Sequence, residues 1–357
     1  MGGHGGDAGL VRAHRDSAAA VDVDQVIGRA AREEAEALTL RPGATLAVGA
    51  GHRAIDEEPD SERTCFERDR DRIVHSTAFR RLAGKTQVVV HPDDHQRTRL
   101  THALEVAQVA TSIARAVGVN VALADAIALG HDCGHGPGGH ASEDAFDAFI
   151  AEGYDHGPWG ADVVLVGLNL CTETLDGIRN HSWSRPAPMT VEGEIVSWAD
   201  RIAYCAHDLE DAVHAGIVRP DEIPAEIAEV CGRDRRTQLS VFIRAVVQTV
   251  TERGEVGMDA RTGAALAALR KFNYERIYTR PAALAQSSSV IKILHALVEH
   301  YAAKPYDIPW PTAVDPSSPE AVRAAVTYVG GMTDRYAFAS AVRLLDWPAD
   351  QLPPSID

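Results

Sequence analysis

Apolar residues recur at helical spacing along most of this chain, whereas the alternation typical of strands is almost absent. The segment 101–117 carries apolar residues three and four apart, and Gly118 ends the pattern. A second apolar helix ends at Gly130, and a third long one runs near 190–215. This periodicity predicts an all-α fold, built as a helical bundle around one core.

The remaining segments divide the chain into an arm, a core and a tail. Later amphipathic stretches predict further helices, and one piece, KTQVVVH at 85–91, is typical of extended structure. The later helices are expected at about 239–253, 262–278, 281–302 and, as one or two helices, near 317–346. We predict a partly mobile N-terminal arm with one short helix at 1–40, a core at 41–305, and a peripheral helical tail at 306–357.

Charge and cysteine usage exclude several classes of protein. With a net charge of −16 over 357 residues, the chain lacks the basic surface that a general nucleic-acid coat requires. Eight Arg and Lys residues nevertheless gather within 68–99, which favours a small polyanionic ligand. Five scattered cysteines, no leader-like apolar core in the first ten residues, and no apolar run of about 18 residues together predict a soluble, cytoplasmic protein without disulfides.

The stretch HDCGHGPGGH at 131–140 holds three histidines, one aspartate and four glycines. Alone it is compatible with a metal site, a phosphate-binding loop or a polar turn. Its context favours chemistry, because His102 opens one predicted helix, His131 and Asp132 end the next, and Asp200 lies within a third. Inward side chains of adjacent helices can meet, and such a nitrogen and oxygen set suits Mn, Fe, Mg, Ni or Co rather than structural zinc.

The order of these four residues resembles the HD-domain metal-dependent phosphohydrolases. Longer stretches narrow the resemblance to the bacterial deoxynucleoside triphosphate triphosphohydrolases, often called dGTPases, over roughly 40–305. The similar stretches, in chain order, are FERDRDRIVHSTAFRRLAGKTQV (66–88), RTRLTHALEVAQVA (97–110), HDCGHGPGGHASE (131–143), GLNLCTETLDGIRNHS (167–182) and EGEIVSWADRIAYCAHDLEDAVHAGI (192–217).

The resemblance implies a role for each matching residue. It implies a divalent metal ion, with Mn favoured, bound by His102, His131, Asp132 and Asp200. It places His135 and His140 at the phosphates, with Glu143 supporting His140, and leaves His156 as a candidate acid. Arg99 is the favoured phosphate contact because it lies one turn before His102, while Arg80 and Lys85 are further candidates for which structural salt bridges are an equal alternative.

Spacing along the third helix adds a candidate sugar site. Asp200, Tyr204 and Asp208 are four residues apart and share one helix face, so the latter two must lie beside whatever touches a metal at Asp200. In the resembled family the matching tyrosine lies under the deoxyribose and the matching aspartate binds the 3′-hydroxyl. The alternative interpretation is a solvated acidic face that continues through Glu210 and Asp211.

The reaction implied is hydrolysis of a 2′-deoxynucleoside triphosphate, dGTP-like, to deoxynucleoside and inorganic triphosphate. A water activated at the metal, assisted by His140 with Glu143, would attack the α-phosphorus, and His156 or His135 would protonate the leaving oxygen. The resemblance also implies a symmetric tetramer or hexamer.

Two alternatives stay open: an HD phosphohydrolase acting on another or modified nucleotide, and a nucleotide sensor without turnover. The chain also departs from the family in having Gly138 where Phe is usual, and Pro158 and Trp159 after His156. These departures bear on base and sugar choice more than on the chemistry.

Overall fold

The computed structural model describes residues 4–5, 9–88, 96–310 and 313–353, and within these ranges helices dominate. One two-stranded antiparallel pair, β1 (His4–Gly5) with β2 (Val11–Arg12), lies near the N-terminus. The predicted all-α class is confirmed. The helices are α1 (Arg29–Thr39), α2 (Cys65–His75), α3 (Thr77–Arg81), α4 (Arg99–Val117), α5 (Val121–Gly130), α6 (His140–Asp147), α7 (His156–Trp159), α8 (Thr172–Asn180), α9 (Val191–His214), α10 (Ala225–Cys231), α11 (Arg235–Arg253), α12 (Ala260–Asn273), α13 (Pro281–Ala303), α14 (Pro319–Gly330) and α15 (Asp334–Leu345).

Helices α4, α5 and α9 pack against one another at the centre of the main core. Gly118 ends α4 in the left-handed region at φ +78°, and the Asn120 side chain caps α5 by accepting from the Leu123 amide. Glu192, fully buried at the start of α9, accepts from the Asn120 amide at 2.9 Å. The three helices that carry the HD residues are therefore tied together at one end.

A second apolar cluster joins α6 to the C-terminal helices. Phe146 of α6 packs with Val290 and Leu297 of α13, Val329 of α14 and Phe338 of α15. All five side chains are nearly excluded from solvent, so α14 and α15 contribute to a core that also supports α6. The boundaries at 40 and 305 between arm, core and tail stay a prediction.

Helix bounds differ from the sequence expectation in a few places. Helix α4 begins at Arg99, α11 begins at Arg235, and the stretch predicted as one helix over 262–278 changes after α12 into a π-helical turn at Tyr274–Tyr278. In the predicted extended piece, Thr86 forms a single bridge with Thr98, and residues 89–91 lie outside the described residues. Among the described helices, none combines the length and apolar character needed to cross a bilayer.

The basic cluster within 68–99 is largely neutralised by carboxylates. Arg68 and Arg72 both contact Glu57, and Arg70 contacts Asp125. Arg97 is ion-paired with three carboxylates, those of Glu105, Glu210 and Asp211. These four arginines hold the structure together instead of forming one positive surface, while Arg99 points into the interior.

Candidate active site

Three of the four predicted metal ligands meet where α4, α5 and α9 come together. The Nε2 atom of His102 lies 3.1 Å from Oδ1 of Asp200, and Nε2 of His131 lies 3.7 Å from the same oxygen. These three ligand atoms all lie within 4.8 Å of one another. Burial disfavours a charged imidazole, but the hydrogen bond to Asp200 and the charges of the nearby aspartates together raise the pKa of His102. The same contact helps to lower the pKa of Asp200 despite burial.

The ring of His131 is oriented as in a metal ligand. Its Nδ1 lies 2.7 Å from the carbonyl oxygen of Ala128 and therefore donates to it, so Nε2 is the nitrogen available to a metal ion. That Nε2 has no hydrogen-bond partner among the described residues, although it lies 3.4 Å from Oδ1 of Asp132. A backbone carbonyl on one ring nitrogen and an unpaired second nitrogen is the usual arrangement at metal sites, so these residues fit a divalent ion.

Asp132 connects this cluster to a buried arginine. Its Oδ2 accepts a hydrogen bond of 2.7 Å from Arg99, and its Oδ1 lies 3.3 Å from Nε2 of His135. Burial alone would raise the pKa of Asp132, but Arg99 and the neighbouring histidines hold it well below its usual range. The other two nitrogens of the Arg99 guanidinium, Nε and one Nη, are buried and have no hydrogen-bond partner among the described residues.

The glycine-rich turn brings the predicted catalytic residues together around one carboxylate. Glu143 places Oε2 2.8 Å from Nδ1 of His140 and Oε1 2.6 Å from Nδ1 of His156. The rings of His135 and His156 stack with centroids 3.7 Å apart. The pKa of Glu143 is lowered although burial opposes ionisation, chiefly because His156 and His140 face it. Because Glu143 orients both rings through Nδ1, each Nε2 points away from it.

His140 and His156 differ in exposure. The His140 side chain is 75% exposed, so its Nε2 can meet solvent or substrate, whereas His156 is buried. Burial lowers and the Glu143 carboxylate raises the pKa of His156, with a net increase. Burial lowers the pKa of His135, and Arg99 and His156 lower it further. The site therefore combines an accessible imidazole, a buried imidazole with a raised pKa, and a buried neutral one.

His181 is a site residue that the sequence reasoning missed. Its Nε2 lies 3.0 Å from Nε2 of His156, and its Nδ1 lies 2.8 Å from the carbonyl oxygen of Ile178. Burial and the nearby histidines lower its pKa to about 3, so it presents a neutral nitrogen lone pair. It forms a second possible ligand group with His131 and Asp132. The sequence signal for His181 is its position within the similar stretch 167–182, in which no single residue was assigned a role.

The predicted sugar residues face a second helical layer. Nε of Arg270 donates to the Tyr204 hydroxyl at 3.0 Å, and the Tyr278 hydroxyl donates to Oδ2 of Asp208 at 2.5 Å. The other oxygen of Asp208 is buried without a hydrogen-bond partner among the described residues. Arg270 and Tyr278, on α12 and the π-helical turn after it, were also missed, because nothing local in the amphipathic pattern distinguishes them.

The two remaining predicted phosphate residues differ in exposure and in their contacts. Arg80 is exposed and lines a cavity of about 580 Å³ together with Arg81 and Arg335. Lys85 is buried, and its ammonium donates to the carbonyl oxygens of His135 and Gly330. Burial lowers the pKa of Lys85 to about 8. Its role as a phosphate contact stays a prediction, and its observed contacts are with the backbone.

The fold and the His–Asp cluster at three packed helices define the class of protein, an HD-domain hydrolase. Residues 99–205 match the HD domain, and residues 256–343 match the phosphohydrolase-associated domain. A crystal structure of a hypothetical protein from Aquifex aeolicus is similar in fold, with a TM-score of 0.51, 17% identity, and coverage of 79% of this chain and 69% of that one.

Two curated relatives show the family to which the chain belongs. A deoxyguanosinetriphosphate triphosphohydrolase-like protein of Caldanaerobacter subterraneus subsp. tengcongensis is 39% identical over 321 residues, which cover 85% of this chain and 92% of the relative. A protein of the same description from Clostridium perfringens is 39% identical over 296 residues, 78% of this chain and 86% of the relative. The chain belongs to this deoxyguanosinetriphosphate triphosphohydrolase-like family of HD-domain hydrolases.

Proposed function

We propose that this protein hydrolyses a 2′-deoxynucleoside triphosphate, of which dGTP is the expected example, to the deoxynucleoside and inorganic triphosphate. The carrying observation is the Arg99 guanidinium, buried beside the His–Asp cluster with two nitrogens unbonded among the described residues. Asp132 already pairs with one nitrogen of this guanidinium, so the two remaining buried donors call for a further acceptor, and the oxygens of a phosphate group can supply it. The names of the relatives support a triphosphorylated nucleotide as that anion.

Each histidine has a task that its surroundings support. Glu143 holds Nδ1 of His140, so the exposed Nε2 can take a proton from the attacking water. The buried His156, with its raised pKa, can hold a proton for the leaving 5′-oxygen, and His135 can contact the phosphates. His102, His131, Asp132 and Asp200 would hold a divalent ion, Mn being favoured by resemblance. When bound, such an ion supplies Lewis-acid chemistry that offsets phosphate charge and makes water more acidic.

The sugar would lie along α9, beyond the metal ligand Asp200. Tyr204 follows one turn later and would pack against C2′ of the deoxyribose, leaving no room for a 2′-hydroxyl. Asp208 follows one more turn later, and its unbonded Oδ1 can accept a hydrogen bond from the 3′-hydroxyl. The arrangement therefore favours deoxynucleotides over ribonucleotides.

The decisive experiment incubates the protein with the four dNTPs and four NTPs in Mn, Mg or Co salts and resolves the products by ion-exchange chromatography. Inorganic triphosphate and deoxynucleoside from dNTPs, with no release by Asp132→Asn, would support the proposal. Orthophosphate or pyrophosphate as the product would contradict it and favour another HD phosphohydrolase activity. Binding without turnover would instead favour a nucleotide sensor.

A further inference from the structure

The glycine-rich turn at 131–140 is anchored by the first residue of α15. Asp334 is buried, and its Oδ1 accepts from the Gly138 amide at 2.9 Å. Its Oδ2 accepts from the Thr86 amide at 3.0 Å and also from the Thr86 hydroxyl. A single carboxylate from the C-terminal helices therefore joins the turn to the segment that precedes α4.

Lys85 reinforces the same junction from the other side. Its ammonium connects the carbonyl oxygen of His135 in the turn with that of Gly330 at the end of α14. Its own carbonyl accepts from the amide of Arg99 at 3.2 Å, at the start of α4. The backbone on either side of Lys85 and Thr86 thus fixes the start of α4, where Arg99 lies, relative to the turn that carries His135 and His140.

The close fit leaves the turn little freedom to relax. Gly138 and Gly139 have φ of +75° and +64°, and an added Cβ at Gly139 would lie 2.8 Å from an Nη atom of Arg99. The turn and the guanidinium are therefore in direct contact. Any rotation of the peptide at Gly138 would move His140, two residues later, relative to Arg99.

We propose that Asp334 is a positioning residue. Through its hydrogen bonds to Gly138 and Thr86, it fixes the phosphate-facing residues His140 and Arg99 relative to each other. This inference rests on the proposed function, because that function gives His140 and Arg99 their tasks. It also gives the phosphohydrolase-associated region, 256–343, a part in the chemistry of the HD domain. Through Asp334, α15 would then contact the turn that carries His135 and His140.

The test compares Asp334→Ala and Asp334→Asn with Thr333→Ala. The Thr333 side chain caps the same helix by accepting from the Tyr336 amide, so its loss weakens α15 but removes none of the Asp334 bonds. For each protein we would measure kcat and KM for dGTP, bound metal, the melting temperature, and amide hydrogen exchange of the peptide covering 134–142.

Asp334→Ala should lower kcat by about 10–10²-fold with a smaller change in KM, because displaced groups lose rate more than binding. Exchange of the 134–142 peptide should accelerate, and bound metal should be retained. Asp334→Asn should recover part of the rate, since its amide oxygen can still accept from Gly138. Thr333→Ala should keep both kcat and slow exchange in the turn.

Two results would overturn the inference. One is unchanged exchange over 134–142 in Asp334→Ala. The other is that Thr333→Ala loses as much kcat as Asp334→Ala when the two variants lose the same amount of melting temperature. That result would mean that Asp334 affects the rate only through the stability of the fold. If the parent protein cleaves no dNTP, the proposed function fails, but the exchange measurement still decides whether Asp334 holds the turn.

Discussion

Asp208 is a buried carboxylate whose proposed binding of the sugar comes at a cost to the stability of the folded protein. Its Oδ2 accepts from Tyr278, while its Oδ1 is unbonded among the described residues. Burial raises its pKa to about 6, and the bond from Tyr278 and the charge of His102 offset only part of that increase. A side chain kept ionised at such a position is retained at a cost in stability, which is common at functional sites.

Asp208→Asn should therefore stabilise the metal-free protein at pH 8 and much less at pH 4, which is close to the ordinary pKa of the carboxyl, 3.8. Below its unfolded pKa the carboxyl is neutral in both states. Between that value and about 6 the unfolded chain ionises first, so the free energy of unfolding falls as the pH rises. A shift of about two pKa units corresponds to about 3 kcal/mol. Urea unfolding of parent and variant at both pH values measures this, and a constant difference between the two proteins would contradict it.

Tyr204 provides the residue-scale test of sugar choice. Tyr204→Ala should admit ribose and narrow the ratio of kcat/KM between dGTP and GTP, because the ring that excludes the 2′-hydroxyl is gone. Tyr204→Phe is the matched control, since it loses the bond from Arg270 but keeps the ring. The Phe variant should keep the deoxynucleotide preference. Equal use of both nucleotides by the parent would rule out steric exclusion by Tyr204.

At the scale of elements, the glycine-rich turn depends on backbone that only glycine adopts easily. At Gly138, φ is +75° and an added Cβ would lie 2.5 Å from Cγ1 of Val290 on α13. Gly254, which ends α11, has a similar φ of +73° with nothing within 4 Å of an added Cβ. The two glycines therefore differ in packing while sharing the same conformational demand.

Gly138→Ala should lower both stability and kcat, whereas Gly254→Ala should cost only the conformational strain of about 1–2 kcal/mol. Adding Val290→Ala to Gly138→Ala should restore part of the lost rate, because it removes the clash that displaces the turn. Melting temperatures and kcat for dGTP measure these effects. Similar losses in the two single variants, with no effect of Val290→Ala, would show that the contact with α13 is unimportant.

The elements also show which parts of the site a sequence can reveal. His102, the His131–Asp132 pair and Asp200 lie at recognisable points of three apolar helices, so periodicity and motif order predict their convergence. Arg270, Tyr278 and Asp334 reach the site from 66 to 248 positions away from their partners, and no local pattern predicts such contacts. Lys85 has the residue type of a phosphate ligand, but only its burial and its two carbonyl partners reveal its structural contacts.

At the scale of the whole molecule, the candidate metal ligands connect three helices that are distant in sequence. His102 lies on α4, His131 and Asp132 follow α5, and Asp200 lies on α9. These helices also supply the centre of the main apolar core. An ion held by all four residues would therefore stabilise the folded state as a whole, because the unfolded chain offers no such preformed group.

Adding Mn²⁺ to the chelator-treated protein should raise its melting temperature. At 100 times the dissociation constant, binding contributes about 2.7 kcal/mol, which for a chain of this size corresponds to about 3–4 °C. His131→Ala should abolish the shift, because it removes the Nε2 atom that lies between the carboxylates of Asp132 and Asp200.

His140→Ala should retain the shift in melting temperature while turnover falls about 10²–10⁴-fold, since this exposed histidine is assigned to proton transfer. Scanning calorimetry with and without Mn²⁺, paired with metal analysis of each variant, measures both effects. Loss of the shift in His140→Ala, with the shift kept in His131→Ala, would move the ion to the group formed by His135, His140 and Glu143 and overturn the ligand assignment.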